Sequence, residues 1–325
     1  MTAGEFAELA AALSVIDGVT IDQEVPSGMF CSYRVGGPFS LMARVATIEG
    51  LGELVRVIGQ TDVPSLTVGK GSNLLVSNAG FRGIAIVLED GFSNVLVDGT
   101  TVDVGASASM PVVARATVKA GLTGFEWAVG VPGSIGGAVR MNAGGHGSDM
   151  AASLVSVEVA DVSLGGIVTR GVESLALDYR SSNLAPWHIV VQAHLELSEA
   201  ADGEAAIDGE ALLREIVGWR REHQPGGANA GSVFTNPPGD SAGRLIDAAG
   251  MKGHRVGTAE ISEKHANFIQ ADPDGAADDV MRLMVETVDR VDAAFGIRLH
   301  AETRLIGFSQ DLVDHVQSSG PGERE

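Results

Sequence analysis

A loop in the middle of this chain is so rich in glycine that it limits what the surrounding fold can be. Residues 130–147 read GVPGSIGGAVRMNAGGHG and hold seven glycines in 18 positions. Turning a hairpin needs fewer glycines than this. A backbone that lies close along an extended planar ligand does need them, because glycine carries no Cβ to keep the ligand away. The loop therefore predicts a site where main chain contacts a flat ligand directly.

A second glycine loop lies upstream of the first and follows a β-rich run. It reads GKGSN over 69–73 and only partly matches the Rossmann fingerprint, which needs a third glycine and a following helix. Residues 74–76 are instead Leu-Leu-Val, a strand pattern. A strand–loop–strand can still offer successive N–H groups to a diphosphate, although an ordinary glycine turn has the same pattern. The two loops together favour a dinucleotide held between two small subdomains.

Charge and cysteine content exclude several classes of partner. The formal net charge is −20 at pH 7, so DNA and negatively charged membrane surfaces are repelled at long range. Cys31 is the only cysteine, which excludes an intramolecular disulfide and a cysteine-based metal site. The eight histidines show no spacing typical of metal ligands. We therefore expect no nucleic acid, no bound metal and a reducing compartment.

No segment has the pattern of a membrane anchor or an export signal. No stretch reaches the roughly 18 uninterrupted apolar residues that a transmembrane helix requires. Residues 1–18 contain neither Lys nor Arg, so they lack the basic start of a signal peptide. Their Phe6, Leu9, Leu13 and Ile16 have helical spacing instead. We expect a cytoplasmic protein with no stable membrane association.

Hydrophobic periodicity predicts an α+β protein. Residues 95–104 and 155–168 alternate as hairpins about glycine-containing turns, whereas an apolar stripe over 275–295 predicts a buried helix. The other predicted elements are helices over 1–20, 109–120, 208–223 and 242–249 and strands over 65–68, 74–77, 84–88, 189–197 and 297–306. The small, polar run 200–206 is typical of a domain seam, and the residues after Phe308 are typical of a frayed tail.

Seven motifs, taken in order, point to one family. They are SYRVGGP over 32–38, GKGSNLL over 69–75, the glycine loop 130–147, DYRSSN over 178–183, NAGSVFTNP over 229–237, ISEKHANFI over 261–269 and ETR over 302–304. Together they resemble the motifs of the UDP-N-acetylenolpyruvoylglucosamine reductases, over about residues 20 to 308. The compact region after Arg180 is similar to the shorter of that family's two subtypes, which lacks an inserted substrate-covering loop.

The resemblance implies a fold and a cofactor. The fold is a two-subdomain FAD-binding fold of the vanillyl-alcohol-oxidase type, followed by a C-terminal α+β substrate-binding domain. The implied divisions are an N-terminal helix over 1–20, an FAD-binding domain over 21–199 with subdomains of about 21–95 and 96–199, a substrate-binding domain over 200–308 and a flexible tail over 309–325. FAD is the implied cofactor and NADPH the implied hydride donor.

The resemblance also implies an activity. The family reduces UDP-N-acetylglucosamine enolpyruvate to UDP-N-acetylmuramate through FAD, an oxidoreductase reaction on a CH–CH group. That step belongs to peptidoglycan precursor synthesis, and therefore to cell-wall biogenesis, cell shape and cell division. The implied partner is a UDP-sugar enolpyruvyl ether, and we expect the protein itself to be a monomer or a weak homo-oligomer.

Three catalytic candidates follow from the resemblance and the chemistry it implies. Hydride addition to an unsaturated carboxylate pushes negative charge into the carboxylate and the adjacent carbon, so the site needs a cation and a proton donor. The resemblance assigns the carboxylate to Arg180, the proton to Ser232 and help in polarising the carboxylate to Glu302. Local sequence alone leaves other interpretations open: a surface arginine, a cap or turn serine, and a glutamate on a solvated strand face.

The resemblance implies binding residues as well. Those for the cofactor are Tyr33, Arg34, Val35, Gly36, Gly69, Lys70, Gly71, Ser72, Asn73, Leu74, Gly130, Pro132, Gly133, Ser134, Gly136, Gly137, Asn142, Gly144 and Arg304. Those for the substrate are Asn236, Lys264 and His265. The family usually has tyrosine where this chain has His146, lysine where it has Thr235, and often Thr-Thr where it has Cys31-Ser32. Thr235 leaves open how a diphosphate is neutralised.

Two other functions remain open on these residues. A flavin oxidase of a small alcohol or hydroxy acid with the same fold would keep the glycine loops, but it would not need Arg180, Ser232 and Glu302 together. A non-catalytic sugar-nucleotide-binding protein that has lost flavin is the second alternative. Yellow protein with flavin absorbance would exclude the latter.

Overall fold

The chain forms two compact units. The structure, a computed structural model, describes residues 1–201 and 208–317. Over the described residues, the first unit consists of Met1–Gln23, Leu41–Lys70 and Gly83–Arg220, and the second of Glu24–Ser40, Gly71–Arg82 and Arg221–Glu325. Each unit therefore collects segments that lie far apart in the sequence. The boundary between them crosses the upstream glycine loop, between Lys70 and Gly71.

The described residues form eight α-helices and eighteen strands. The α-helices are α1 (Ala3–Leu13), α2 (Ile48–Ile58), α3 (Met110–Lys119), α4 (Ile135–Arg140), α5 (Gly209–His223), α6 (Ala242–Ala248), α7 (Ala277–Phe295) and α8 (Gln310–Gln317). The strands are β1 (Val19–Pro26), β2 (Pro38–Val45), β3 (Ser65–Thr67), β4 (Leu74–Val76), β5 (Phe81–Leu88), β6 (Val95–Asp98), β7 (Thr101–Gly105), β8 (Leu122–Thr123), β9 (Gly144–Gly145), β10 (Ser148–Asp149), β11 (Leu154–Asp161), β12 (Gly166–Gly171), β13 (His188–Glu196), β14 (Ser198–Glu199), β15 (Arg255–Val256), β16 (Ala259–Ile261), β17 (Ile269–Ala271) and β18 (Arg304–Ile306).

The first layer of the first unit is a sheet in the order β1-β2-β5-β3, with α1 and α2 sharing its core. Helix α1 begins at a capping box, in which Thr2 and Glu5 each accept a hydrogen bond from the other's main-chain N–H. The apolar faces of both helices are buried with the sheet; their shared core includes Phe6, Leu13, Leu41, Leu51, Leu54 and Ile84. The helix predicted over 1–20 thus forms over Ala3–Leu13.

The second layer is a five-stranded antiparallel sheet in the order β12-β11-β13-β7-β6. Both predicted hairpins lie in it: β6 pairs with β7 about a turn closed by Asp98 and Thr101, and β11 pairs with β12 from Asp161 to Gly166. Helices α3 and α4 contribute Val113 and Ile135 to the core below this sheet. The sheet therefore supports α4, which lies inside the downstream glycine loop.

Helix α7 organises the core of the second unit. It shares that core with α6 and with the three-stranded sheet β15-β16-β17, while β4 and β18 pair in parallel. Its predicted apolar stripe is buried at Val280, Leu283, Met284, Val288 and Val291. Phe295, which the spacing also places on the stripe, is 40% exposed, because the helix ends there and Gly296 turns the chain at a φ of 66°.

The strand predicted over 297–306 is wrong for most of its length. Only Arg304–Ile306 forms a strand, β18. The residues before it are extended and bond one by one to different partners: Ala301 N–H donates to the Val316 carbonyl at 2.7 Å, and Glu302 N–H donates to the Val233 carbonyl at 2.9 Å. The alternating side chains predicted extended backbone correctly, but they did not predict which residues this backbone bonds to.

The flexible tail predicted from residue 309 is wrong over Gln310–Gln317, which form α8. The helix is held because Val316 is fully buried in the core of the second unit. Residues 318–325 of that predicted tail lie outside the described residues, as do residues 202–206 of the predicted seam. The domain boundaries themselves stay a prediction.

None of the helices in the described part of the chain is long and apolar enough to cross a membrane. Across residues 1–201 and 208–317, no group of three or more His, Cys, Asp or Glu is placed to hold a metal ion.

Asp279 is a buried carboxylate near the start of α7. Its side chain is only 8% exposed, and its Oδ2 accepts hydrogen bonds from the N–H and the hydroxyl of Thr258, both at 2.8 Å. Asp279→Ala leaves both partly buried donors without this acceptor. We expect the free energy of unfolding at pH 7 to fall by about 2 kcal/mol in urea titrations. Arg290→Ala, at an exposed position on the same helix, is the control and should change it little.

The effect of Asp279→Ala should depend on pH. Hydrogen bonding, first of all from the Thr258 N–H, lowers the pKa of Asp279 below its ordinary value. A carboxyl whose folded pKa is lowered contributes stability above its unfolded pKa of about 3.9, and loses it as the pH falls through the folded pKa. The difference between wild type and variant should therefore shrink below about pH 4. A constant difference from neutral to acidic pH would contradict this role.

Candidate active site

The predicted site residues are divided between the two units. The first unit holds Gly69, Lys70, Gly130, Pro132, Gly133, Ser134, Gly136, Gly137, Asn142, Gly144 and Arg180. The second holds Tyr33, Arg34, Val35, Gly36, Gly71, Ser72, Asn73, Leu74, Ser232, Asn236, Lys264, His265, Glu302 and Arg304.

The two glycine loops meet in the first unit. A Cβ placed on Gly69 would lie 2.4 Å from the Ser134 hydroxyl, so only glycine allows the upstream loop this close to the downstream one. Ser134 is 3% exposed and directly precedes α4, but its side chain does not cap that helix. The downstream loop was predicted as continuous loop; the structure has a short helix, α4, in its middle.

Arg180 lies at the tip of a tight turn in the first unit. The turn is closed by reciprocal main-chain hydrogen bonds between Asp178 and Ser181, at 3.2 and 3.1 Å. Arg180 has a φ of 55°, a left-handed conformation that is costly for a residue with a side chain and is found where other contacts enforce it. Its Nη2 donates to the Gly144 carbonyl at 3.0 Å, and its guanidinium carbon lies 5.3 Å from the ring centre of Tyr179.

Asn142 connects that turn to the glycine loop. Its amide nitrogen donates to the Asp178 carbonyl and to the Asp149 carboxylate, each at 3.2 Å, while its oxygen accepts from the Ala151 N–H at 2.9 Å. Asn142 is 4% exposed, so these protein contacts occupy a side chain that sequence reasoning assigned to the cofactor. A cavity of about 420 Å³ opens beside it and is lined by Arg180 among others.

The second unit brings Ser232 and Glu302 together. The Glu302 N–H donates to the carbonyl of Val233, the residue after Ser232, at 2.9 Å. The Glu302 carbonyl in turn accepts from the Asn73 amide at 3.0 Å, and the Arg304 N–H donates to the Asn73 carbonyl at 3.1 Å. Two predicted catalytic residues and two predicted cofactor residues are therefore held on adjoining backbone segments.

Ser232 also lines a polar cavity of about 340 Å³ in the second unit. The wall includes Asn236 and His265, both predicted to contact substrate, together with Arg244 and Lys252. Sequence reasoning missed these two cations, since no motif marks them. Arg244 forms an ion pair with Asp240, and Lys252 forms one with Asp247 at 3.2 Å.

Lys264, in contrast, is not among the residues lining that cavity. Its ammonium group donates to the Arg221 carbonyl at 2.6 Å, on an exposed part of the second unit. The neighbouring His265 does reach the cavity, and burial first, then the charges of Lys252 and His223, lowers its pKa below the ordinary histidine value. His265 is therefore favoured in its neutral form near pH 7.

Several buried polar atoms of the second unit lack a hydrogen-bond partner among the described residues. They include the hydroxyls of Ser27, Tyr33 and Thr303, the Asn73 amide oxygen and Nε of Arg304. Burial raises the pKa of Tyr33 and lowers that of Arg304. An unsatisfied buried polar atom costs about 1–3 kcal/mol, so such a group is expected where a ligand completes the site. Three of these five residues, Tyr33, Asn73 and Arg304, belong to the predicted cofactor set.

Comparison with known proteins decides the family. The chain is 41% identical over 278 residues, 85% of its length, to "UDP-N-acetylenolpyruvoylglucosamine reductase 2" of Symbiobacterium thermophilum, and covers 89% of that protein. This chain belongs to the UDP-N-acetylenolpyruvoylglucosamine reductase family. A reductase of Heliobacterium modesticaldum is also 41% identical, over 90% of this chain and 92% of that protein. The family's C-terminal domain matches residues 223–306, and an FAD binding domain matches 39–171.

A solved structure supports the same conclusion. The UDP-N-acetylenolpyruvylglucosamine reductase of Thermus caldophilus superposes with a TM-score of 0.75 at 36% identity, covering 89% of this chain and 99% of that one. The expected fold, an FAD-binding fold followed by a C-terminal α+β domain, is confirmed, and so is FAD as the cofactor. The residues present fit FAD. The buried Tyr33 hydroxyl, Asn73 amide oxygen and Arg304 Nε have no hydrogen-bond partner among the described residues, and a dinucleotide carries polar groups that pair with such atoms.

Proposed function

We propose that this protein catalyses the NADPH-dependent reduction of UDP-N-acetylglucosamine enolpyruvate to UDP-N-acetylmuramate. Family membership supports the reaction. Within the structure, the observation that supports it is the bond from Glu302 N–H to the Val233 carbonyl, which joins the backbone segments that carry Glu302 and Ser232. A flavin oxidase has no need for this pairing, because it does not protonate a carbon after hydride addition.

Bound FAD would supply the hydride chemistry between NADPH and the enolpyruvyl double bond. The proposed cofactor contacts in the second unit are the partnerless polar atoms of Tyr33, Asn73 and Arg304. In the first unit they are the main chains of the meeting glycine loops, at Gly69 and Gly133–Gly137. These segments lie close together, because the Gly69–Ser134 contact leaves no room for a Cβ.

The proton reaches the substrate carbon from Ser232 in this proposal. A serine hydroxyl is a weak acid, so neighbouring groups must favour loss of its proton. Gly231 precedes it with a φ of 78° and gives the backbone a turn that a larger residue adopts only under strain. Glu302 lies on the bonded neighbouring segment and helps to polarise the substrate carboxylate.

Arg180 binds the carboxylate of the enolpyruvyl group in this proposal. A guanidinium offers two parallel N–H groups that match the two carboxylate oxygens, which an ammonium group does not. The left-handed backbone of Arg180 and the bond from its Nη2 to Gly144 fix the direction of the side chain. Charge that develops on the carboxylate is thereby met by a donor that needs no rearrangement.

The cavity beside Ser232 is the proposed binding site for the diphosphate of the UDP-sugar. Thr235, in the place of the usual lysine, donates its hydroxyl to the His300 carbonyl and contributes no charge. Arg244 and Lys252 supply positive charge in the same wall. Arg244 and Lys252 are each paired with an aspartate. When the diphosphate binds, a phosphate oxygen should therefore replace the aspartate carboxylate as the partner of each cation.

Three further proposals concern the domain bounds, the cellular location and the assembly of the protein. The FAD-binding and substrate-binding domains are proposed over 21–199 and 200–308, which the matches over 39–171 and 223–306 support. The enzyme is proposed to act in the cytoplasm, where the thiol of Cys31, buried and with its pKa raised to about 12, would stay reduced. We also propose a monomer or a weak homo-oligomer that binds neither nucleic acid nor membranes, in keeping with its net charge of −20.

Two half-reactions, followed separately without oxygen, test the function. We expect NADPH to bleach the flavin absorbance of the purified holoenzyme. Addition of UDP-N-acetylglucosamine enolpyruvate to the reduced enzyme should then restore the colour within one turnover, because the hydride leaves the flavin for the substrate. UDP-N-acetylglucosamine, which lacks the enolpyruvyl group, is the control and should restore nothing. Reoxidation only by oxygen would favour a flavin oxidase instead.

A further inference from the structure

The first unit contains a cavity of about 480 Å³ whose wall includes none of the residues predicted to hold cofactor or substrate or to act in catalysis. Helix α5 supplies one side of it with Glu215, Ile216 and Trp219, whose spacing places them on one face of the helix. Glu126, Trp127 and His146 also line it. We call it the aromatic cavity, because two of the three tryptophans of the chain lie in its wall.

Two carboxylates in this wall have no cationic partner. Glu126 is 5% exposed, and its two oxygens accept hydrogen bonds from the Thr123 hydroxyl at 2.6 Å and from the Gly124 N–H at 2.8 Å. Both donors are neutral, and no lysine or arginine among the described residues forms an ion pair with Glu126 or Glu215. Since buried charges in proteins are normally paired, the aromatic cavity offers a place for a cation.

Aromatic rings in the same wall suit an organic cation in particular. Trp219 is 44% exposed, and its ring meets the His146 ring edge to face, with the ring centres 5.3 Å apart. The His146 ring is held in turn against the glycine loop, because a Cβ on Gly130 would lie 3.2 Å from it. Indole is the side-chain group that binds organic cations best through its face. A cation in the cavity therefore has both aromatic surface and negative charge beside it.

Trp127 adds a requirement for a hydrogen-bond acceptor. It is 4% exposed, and its Nε1 has no hydrogen-bond partner among the described residues, although its ring packs edge-on with Phe125 at 5.3 Å. A buried donor without an acceptor is costly and is expected where a ligand completes the contact. A ligand with an oxygen close to its cationic group would supply the missing charge and the missing acceptor together.

We propose that the aromatic cavity binds a small organic cation that carries a hydroxyl group. The cationic group lies against Trp219 and the carboxylates of Glu126 and Glu215, and the hydroxyl oxygen accepts from the Trp127 N–H. Since the wall holds two carboxylates and neither lysine nor arginine, it disfavours the phosphates of NADPH and of a UDP-sugar. The site is therefore additional to the proposed function and does not depend on it.

Choline is the probe for this site, because it joins a quaternary ammonium group to a hydroxyl. Equilibrium dialysis of labelled choline against the FAD-loaded protein should show saturable binding, with a dissociation constant of about 1 mM or lower. In competition with it, 3,3-dimethylbutan-1-ol, which has the same shape without the charge, should bind at least about 10-fold more weakly. No saturable binding of choline, or equal binding of the uncharged alcohol, would overturn the proposal.

The hydroxyl contact is tested separately with tetramethylammonium, which keeps the charge and lacks the hydroxyl. It should bind about 3-fold more weakly than choline to the wild type. Trp127→Phe keeps an aromatic ring and removes the N–H, so it should make the two cations bind equally. A preference for choline that survives in a folded Trp127→Phe protein would show that the hydroxyl is bound elsewhere, and the proposed ligand class would be wrong.

Substitutions in the wall locate the bound cation. Trp219→Leu and Glu126→Gln should each weaken choline binding by about 5-fold or more. Glu215→Gln, at an exposed position that leaves the core intact, should weaken it by about 2-fold and keeps the test valid if Glu126→Gln does not fold. Trp187→Phe is the matched control, since Trp187 is 47% exposed and lies outside this wall. Unchanged binding in both Trp219→Leu and Glu215→Gln would place choline elsewhere and overturn the proposal.

Discussion

Replacement of Ser232 by alanine should leave flavin reduction by NADPH nearly intact and slow reoxidation by the enolpyruvyl substrate by more than about 10², the scale typical of a lost general acid. The two half-reactions differ in whether they need a proton from the protein. Hydride transfer from NADPH requires no proton from the protein, whereas the substrate carbon must gain one after hydride addition. Stopped-flow absorbance of the flavin, with NADPH and the enolpyruvyl substrate mixed in separate experiments, measures the two rates directly.

The surroundings of Ser232 indicate that its replacement by alanine should disturb the rest of the structure little. Its backbone is bonded through Val233 to the segment of Glu302, and its side chain faces a cavity of about 340 Å³. Removal of one hydroxyl from a cavity wall changes little of the packing. Ser14→Ala, at the end of α1, is the control, since that hydroxyl only bonds to the Ala10 carbonyl. Equal slowing of both half-reactions by Ser232→Ala would indicate damage to the flavin site and contradict the role as proton donor.

Local patterns in the sequence predicted the elements whose partners are also local. The hairpins at 95–104 and 155–168 are confirmed, because alternation and a glycine turn specify both strands at once. The predicted α3, α5, α6 and α7 are confirmed to within a few residues for the same reason. The strand predicted over 297–306 is wrong, because extended backbone at 301–303 bonds to Val316 and Val233, which no local pattern reveals.

The glycine count overestimated how much of the downstream loop serves a ligand. A Cβ on Gly130 would lie 2.9 Å from Ile216 Cγ2, and one on Gly136 would lie 3.1 Å from the Cβ of Ala106. Both glycines are therefore required by packing inside the first unit. Composition cannot separate this requirement from close approach to a cofactor, since both need a residue without a side chain.

The candidate site also shows a limit of prediction from sequence, because the predicted residues and the residues that line the cavity only partly agree. Motif resemblance named Ser232, Asn236 and His265, and the structure places all three around one cavity. It also named Lys264, which bonds to Arg221 instead, and it missed Lys252, which does line the cavity. A charged side chain on a flexible stem can point to either face of its segment, so its identity alone does not predict what it contacts.

Arg180 offers the second large effect, and its test distinguishes charge from geometry. Arg180→Lys keeps the positive charge but loses the planar pair of donors, and Arg180→Ala loses both. We expect reoxidation of the reduced flavin by the enolpyruvyl substrate to slow by about 10-fold or more in the lysine variant and by about 10³ in the alanine variant. Flavin reduction by NADPH should stay near the wild-type rate in both.

Addition of guanidinium ion gives the decisive comparison for Arg180. The cavity of about 420 Å³ that Arg180 lines can admit a free guanidinium beside Gly144 in the alanine variant. Because the free ion carries the same planar donors, it should partly restore reoxidation in Arg180→Ala, while an alkylammonium ion at the same concentration should not. Arg115→Ala, on the exposed face of α3, controls for effects of the salt itself. Equal rescue by both ions would show that positive charge alone is needed, and the proposed two-point contact with the carboxylate would then be wrong.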